Sequence, residues 1–134
     1  MVEKAIFNIL SSDLGVSAMV GLRIFPVYIP QGESKPAITY QQLSGPRDHT
    51  TDGASGFVES SFQVQCWAET YAGADDLADK VRLAMDGISG TYADVVIHCI
   101  HLVNEVDVPA IEPENEALNE FGKSLDFTLW HKEA

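Results

Sequence analysis

A chain of 134 residues, 46% of them hydrophobic, can bury one sizeable core, which excludes global disorder and makes a single domain over residues 1–134 the expectation. No apolar run approaches the roughly 18–20 residues of a bilayer crossing, and the N-terminus lacks the zones of a signal peptide, so no membrane partner is expected and folding in the producer's cytoplasm is. Twenty acidic against eight scattered basic residues give a formal charge of −12, which excludes a surface built to grip phosphates with clustered lysine and arginine.

In chain order, Ile6, Ile9 and Leu10 recur at the helical period, with Glu3, Lys4 and Asn8 on other faces, and predict a short first helix. Ser11, Ser12 and Asp13 interrupt it and offer caps for a second short turn over residues 14–20, which Gly21 stops. Residues 23–28 read as a brief strand that Pro26 breaks or confines to a sheet edge, and residues 30–33 as a turn. Over 37–43, β-branched and aromatic content predicts a strand with Ile38 and Tyr40 on one face and Thr39 and Gln41 on the other. Residues 44–56 are polar and glycine-rich with no apolar anchor, so they are expected to project from the fold. Arg47, Asp48, His49, Thr50, Thr51 and Asp52 at the centre of that loop are candidate partner contacts.

Residues 57–70 give the clearest strand. Val58, Phe62, Val64, Cys66 and Ala68 alternate with Glu59, Ser61, Gln63, Gln65 and Glu69, so one face lies on a core and the other meets water or a partner. Fully extended, the segment would span about 45 Å, longer than most strands, and part of it is expected to leave the sheet as a long protruding β-hairpin. Thr70 caps a main helix over 71–85, whose apolar stripe is Ala74, Leu77, Ala78, Val81, Ala84 and Met85. Asp75, Asp76 and Asp79 suit its N-terminal dipole, Asp76 and Lys80 are spaced to pair, and Leu83 stands off the stripe. Residues 95–103 predict another strand. The acidic segment 105–120, with Pro109 and Pro113, predicts a loop, and 124–131 predict a last strand with Leu125, Phe127 and Leu129 inward. The order ααβββαββ gives an α+β fold, a small antiparallel sheet with helices packed on one face.

Chemistry is sparse. On a regular strand His98 and His101 face opposite sides, and Cys99 with His101 are too few ligands for zinc, so no metal site is expected. Ser44, Asp48, His49, Asp52 and Ser55 include the residue types of a hydrolytic triad, but a loop without an anchor offers no rigid concave site. Phosphate-binding glycine motifs are absent, and neither a catalytic residue nor a cofactor is expected. Cys66 and Cys99 read as buried free thiols of a reducing compartment. Trp67 and Trp130 fall on the polar face of their strands and are candidate subunit contacts, since indoles are enriched at interfaces.

The opening helix leads into Gly21-Leu22-Arg23-Ile24-Phe25-Pro26, then Pro36-Ala37-Ile38-Thr39-Tyr40-Gln41. Gln63-Val64-Gln65-Cys66-Trp67-Ala68 follows, then Thr70-Tyr71 before Ala74-Asp75-Asp76-Leu77-Ala78, and the chain closes with Ser124-Leu125-Asp126-Phe127-Thr128-Leu129-Trp130. In this order and spacing the chain resembles the tail-completion family of siphophages and prophages, also called tail terminators or head–tail joining proteins. Gene transfer agents use similar parts. The resemblance implies a non-enzymatic virion subunit of the tail or neck, assembled in the host cytoplasm into a ring of its own copies, commonly a homohexamer. Such a ring caps the tail tube, ends its polymerisation and docks on the head connector or stopper protein, while DNA passes through the lumen without specific binding. Lumenal acids, Glu112, Glu114 and Glu116 among them, would keep that DNA moving. Rival readings are another connector or stopper, a tail-tube-like component, or a small enzyme or ligand-binding domain.

Overall fold

The computed structural model describes residues 2–29, 36–44, 57–108 and 121–132. Helix α1 (Val2–Ser12) buries Ala5, Ile6, Ile9 and Leu10, the stripe that its periodicity predicts. Asp13 caps α2 (Leu14–Val20), its carboxylate accepting the Val16 amide at 3.0 Å. Gly21 ends α2 at φ 60°, where a side chain would be strained, and its amide donates to the Ser17 carbonyl at 2.8 Å. In α3 (Tyr71–Met85) the Thr70 hydroxyl accepts the Gly73 amide at 3.0 Å, and Ala74, Leu77, Ala78, Val81 and Met85 are buried.

The strands are β1 (Ile24–Pro26), β2 (Ala37–Ser44), β3 (Phe57–Ala68), β4 (Gly90–Tyr92), β5 (Val95–Val108) and β6 (Phe121–Lys132), in the spatial order β1-β2-β3-β6-β5-β4. Their inward residues, among them Ile38, Phe62, Val64, Cys66, Ile100, Leu125, Phe127 and Leu129, form one core with the stripes of all three helices. The fold is therefore α+β with helices on one face of the sheet. The sheet is mixed, because β1 runs parallel to β2 while every other pair is antiparallel. Arg23 ties the start of that parallel pair, donating to the Pro36 carbonyl at 2.9 Å and the Met19 carbonyl at 3.3 Å.

Three elements differ from the sequence expectation. First, β3 stays paired to β6 from Phe57↔Lys132 to Ala68↔Phe121, so its whole length lies within the sheet. The connection over 45–56, on which a projecting arm depends, lies outside the described residues. Second, β5 runs on to Val108, so Glu105 and Asp107 belong to a strand and not to a loop. They are held there by Lys123 on β6, whose ammonium lies 3.8 Å from Glu105 and 3.3 Å from Asp107. Third, β4 precedes β5 as a short hairpin partner. Its two-residue turn, Ala93 and Asp94 at φ 51° and 68°, has both central residues left-handed, the geometry that matches strand twist. Neither residue is glycine, so the usual sequence signal for such a turn is missing.

Candidate functional site

The face of the sheet away from the helices carries Trp67 and Trp130, two of the eight candidate contact residues. Across neighbouring strands it presents Thr39 and Gln41, then Gln63, Gln65 and Trp67, then Asp126, Thr128 and Trp130, by the register of β2, β3 and β6. The polar members pair among themselves: Gln63 Nε2 donates to Asp126 Oδ1 at 3.2 Å, and Thr39 Oγ1 donates to Gln65 Oε1 at 3.5 Å. Ser124 Oγ, between Gln65 and Val106, is buried without a hydrogen-bond partner among the described residues.

The two tryptophans have different settings. Trp67 is half-buried. Its indole Nε1 donates to Thr39 Oγ1 at 3.1 Å, and its ring lies on the bare backbone of Gly122, where an added Cβ would come within 2.7 Å of the ring. Trp130 is 37% exposed and sits between Glu59 on β3 and Cys99 on β5. Gly122 and Trp130 are eight residues apart on β6, about 26 Å at the strand rise, so the indoles occupy opposite ends of the face. The remaining candidates, Arg47, Asp48, His49, Thr50, Thr51 and Asp52, lie outside the described residues, as does most of the triad-like set.

Beside Trp67 is an open groove of about 250 Å³, lined by Val27, Tyr28, Ile29, Thr39, Gln65 and Trp67. Its rim is a strained turn. Val27 has φ 69°, unfavourable for a β-branched residue, while the Tyr28 amide donates to the Pro26 carbonyl at 2.7 Å and the Val27 amide to the Tyr40 carbonyl at 2.9 Å. The turn leaves Val27 and Tyr28 exposed beyond the end of β1.

Two polar clusters were not read from the sequence. Lys123 joins β6, β5 and α3: its ammonium bonds Asp75 at 2.9 Å and also faces Asp107, Glu105 and the Tyr71 ring. Tyr71 in turn donates to Asp107 at 3.0 Å and packs edge-on against Phe121. The hydrogen bond to Asp75 is the main force raising the Lys123 pKa, burial opposes it, and Asp107 adds to it. Elsewhere in the core, Ser60 and His131 meet at 2.7 Å, both buried. A serine 1% exposed is closed to a substrate, so this pair holds the ends of β3 and β6 together. Both positions were readable in principle, since Ser60 is in phase with Phe62 and His131 with Leu129.

Cys66 is fully buried, and burial, aided by the charge of Glu105, pushes its thiol far above the usual range. Cys99 is half-buried with Sγ 3.4 Å from His101 Nε2, as their shared face predicts. The separation of His98 from His101 by strict alternation does not hold, because a bulge between Ile97 and Cys99 resets the phase and both histidines are exposed. Among the described residues no group of three or more histidine, cysteine or acidic side chains could hold a metal ion.

Residues 4–114 match the family described as Tail completion protein gp17. The chain belongs to that family. The match takes in α1 through β5 and stops before β6, so the closing motif from Ser124 to Trp130 lies beyond it. No curated protein matches the chain significantly. Among solved structures, a chain from the virion of a native gene transfer agent particle superposes with a TM-score of 0.70 at 14% identity. That likeness covers 96% of this chain and 92% of the other, so the shared fold extends through β6. In this tail-completion protein the six-stranded sheet is consequently part of the common fold.

Proposed function

We propose that this tail-completion protein is the tail terminator: a structural virion subunit that forms a homohexameric ring on the finished tail tube, ends tube polymerisation and joins the tail to the head connector or stopper protein. The family match over residues 4–114 carries this reading. The geometry is compatible with it. The core is sealed on the helical face, the opposite face of the sheet exposes Trp130, and the buried Ser60–His131 pair is inaccessible to substrate. Assembly takes place in the host cytoplasm, the finished ring resides in the tail neck, and the strong negative charge lets DNA pass without being held. The chain carries out no catalysis and uses no cofactor.

Deleting the gene and imaging the particles by electron microscopy tests the proposal. Tails of aberrant length, or complete tails that fail to join heads, are expected, and complementation with the intact gene restores normal particles. Absence of all tails would instead identify a tube component. Normal joined particles would rule out a role at the tail end altogether.

A further inference from the structure

The connection from α3 to β4 wraps one edge of the sheet. Asp86 Oδ1 accepts the Leu102 amide at 2.9 Å, and the Gly87 amide donates to the Ile100 carbonyl at 2.7 Å, so two residues of a turn take the place of a neighbouring strand. Further back, β4 pairs with β5 at Val95, Val96 and Ile97. This cover ends at a bulge between Leu102 and Asn104. From there β5 continues, paired to β6 from Asn104↔Asp126 to Val108↔Gly122, with no strand on its other side among the described residues.

A bare strand edge is a template for another strand. Residues 103–108 would span about 20 Å, the length of an ordinary strand. Val103 and Val106 along it are 64% and 47% exposed. Glu105 and Asp107 give the stretch its charge. Lys123 faces both, but it also bonds Asp75, so one ammonium serves three carboxylates and the surroundings stay negative. Two copies offering this same edge to each other would bring Glu105 and Asp107 against their own counterparts, a repulsive pairing, and a ring neighbour offering a different surface would still bring a chain of formal charge −12. An extended segment with basic side chains meets each demand: its backbone completes the edge, its cations face the carboxylates and its apolar residues cover the valines.

We propose that residues 103–108 are a docking edge that accepts, as an added strand, an extended lysine- or arginine-bearing segment of another protein. The Asp86–Gly87 turn fixes where that strand must begin. The pairing is antiparallel or parallel according to the partner, and its selectivity comes from charge.

The test is hydrogen exchange followed by NMR on the full chain, with a blocked hexapeptide of alternating valine and lysine as probe. At millimolar probe, exchange of amides within 103–108 is expected to slow about tenfold or more. A valine–glutamate counterpart gives no protection. N-methylating the valine–lysine probe at alternate amides abolishes protection in one phase and keeps it in the other, because only one row of amides meets the edge. Equal protection by both N-methylated phases would reduce the effect to charge alone and overturn the proposal. No protection by the unmodified probe overturns it as well. Protection of the same amides that rises with protein concentration in the absence of probe would assign the edge to a second copy, which also overturns it.

Discussion

Substituting Gly122 tests how firmly Trp67 is held on the open face. The new Cβ in Gly122→Ala would lie 2.7 Å from Trp67 Cζ3, 2.9 Å from Cε3 and 3.1 Å from Val108 Cβ. Contacts below 3.0 Å do not persist, so either the indole or β6 must shift. The indole cannot swing away without losing the Nε1 bond to Thr39 Oγ1. Overpacking of this kind costs about 1–3 kcal/mol, and removing a glycine from a strand returns about 0.5–1 kcal/mol through the unfolded chain. The net expectation is a loss of about 1–2 kcal/mol, or about 4–7 °C in Tm for a chain of this size. Urea denaturation measures the first quantity and calorimetry the second, with tryptophan emission shifting to the red as Trp67 is displaced. In the background of Trp67→Leu the same glycine substitution should cost less, because the two contacts below 3.0 Å are to the ring and only the 3.1 Å approach to Val108 Cβ remains. An unchanged or raised midpoint for Gly122→Ala in the native background would refute the packing described.

Other perturbations follow from the same coordinates. Lys123→Met leaves Asp75, Glu105 and Asp107 facing one another, and with two of them about half exposed the expected loss is about 1–2 kcal/mol at pH 7 by urea denaturation. Because the folded Lys123 pKa lies above its ordinary 10.5, the wild-type advantage is complete below that pH and disappears as pH rises through the elevated value. A gap that closed between pH 6 and 9 would contradict this assignment. Thiol titration of the native protein should modify Cys99 readily and Cys66 only on unfolding, since Cys66 is fully buried with its thiolate suppressed. Rapid reaction of both would show that β3 opens. Asp86→Ala removes the acceptor of the Leu102 amide, and exchange at Leu102 should accelerate by about tenfold while global stability falls by about 1 kcal/mol.

Much of this fold was legible because local rules and burial agree. The α1 stripe, the Asp13 and Thr70 caps, the Gly21 stop and the alternation through β3 and β6 each answer to one residue period or one capping group. What escaped depends on partners distant in sequence. The parallel pairing of β1 goes with the bond from Arg23 to the Pro36 carbonyl, and the extension of β5 with Lys123, which faces two acids of the stretch from the neighbouring strand. Bulges after Ile97 and Leu102 leave no mark in composition, and they undo any argument from strict alternation at His98 and His101. For the candidate site, the face of both tryptophans followed from period two, whereas the burial of Trp67 followed from a glycine on the neighbouring strand that only register could put beneath it.

Salt should act in opposite directions on the two associations inferred for this protein. Each copy carries a formal charge of −12, so packing copies into a ring brings like charges together. Raising ionic strength from about 0.01 M to 1 M shortens the Debye length from about 30 Å to about 3 Å and relieves that repulsion. If the proposed ring is held by apolar contact and opposed by charge, its formation should therefore strengthen with salt in sedimentation velocity. A basic strand on residues 103–108 gains from the same negative field, so its binding should weaken over the same range. Because screening strengthens one association and weakens the other, a single salt series separates self-assembly from partner docking. A ring that dissociates as salt rises would mean that complementary charges, and not apolar contact, hold the copies together.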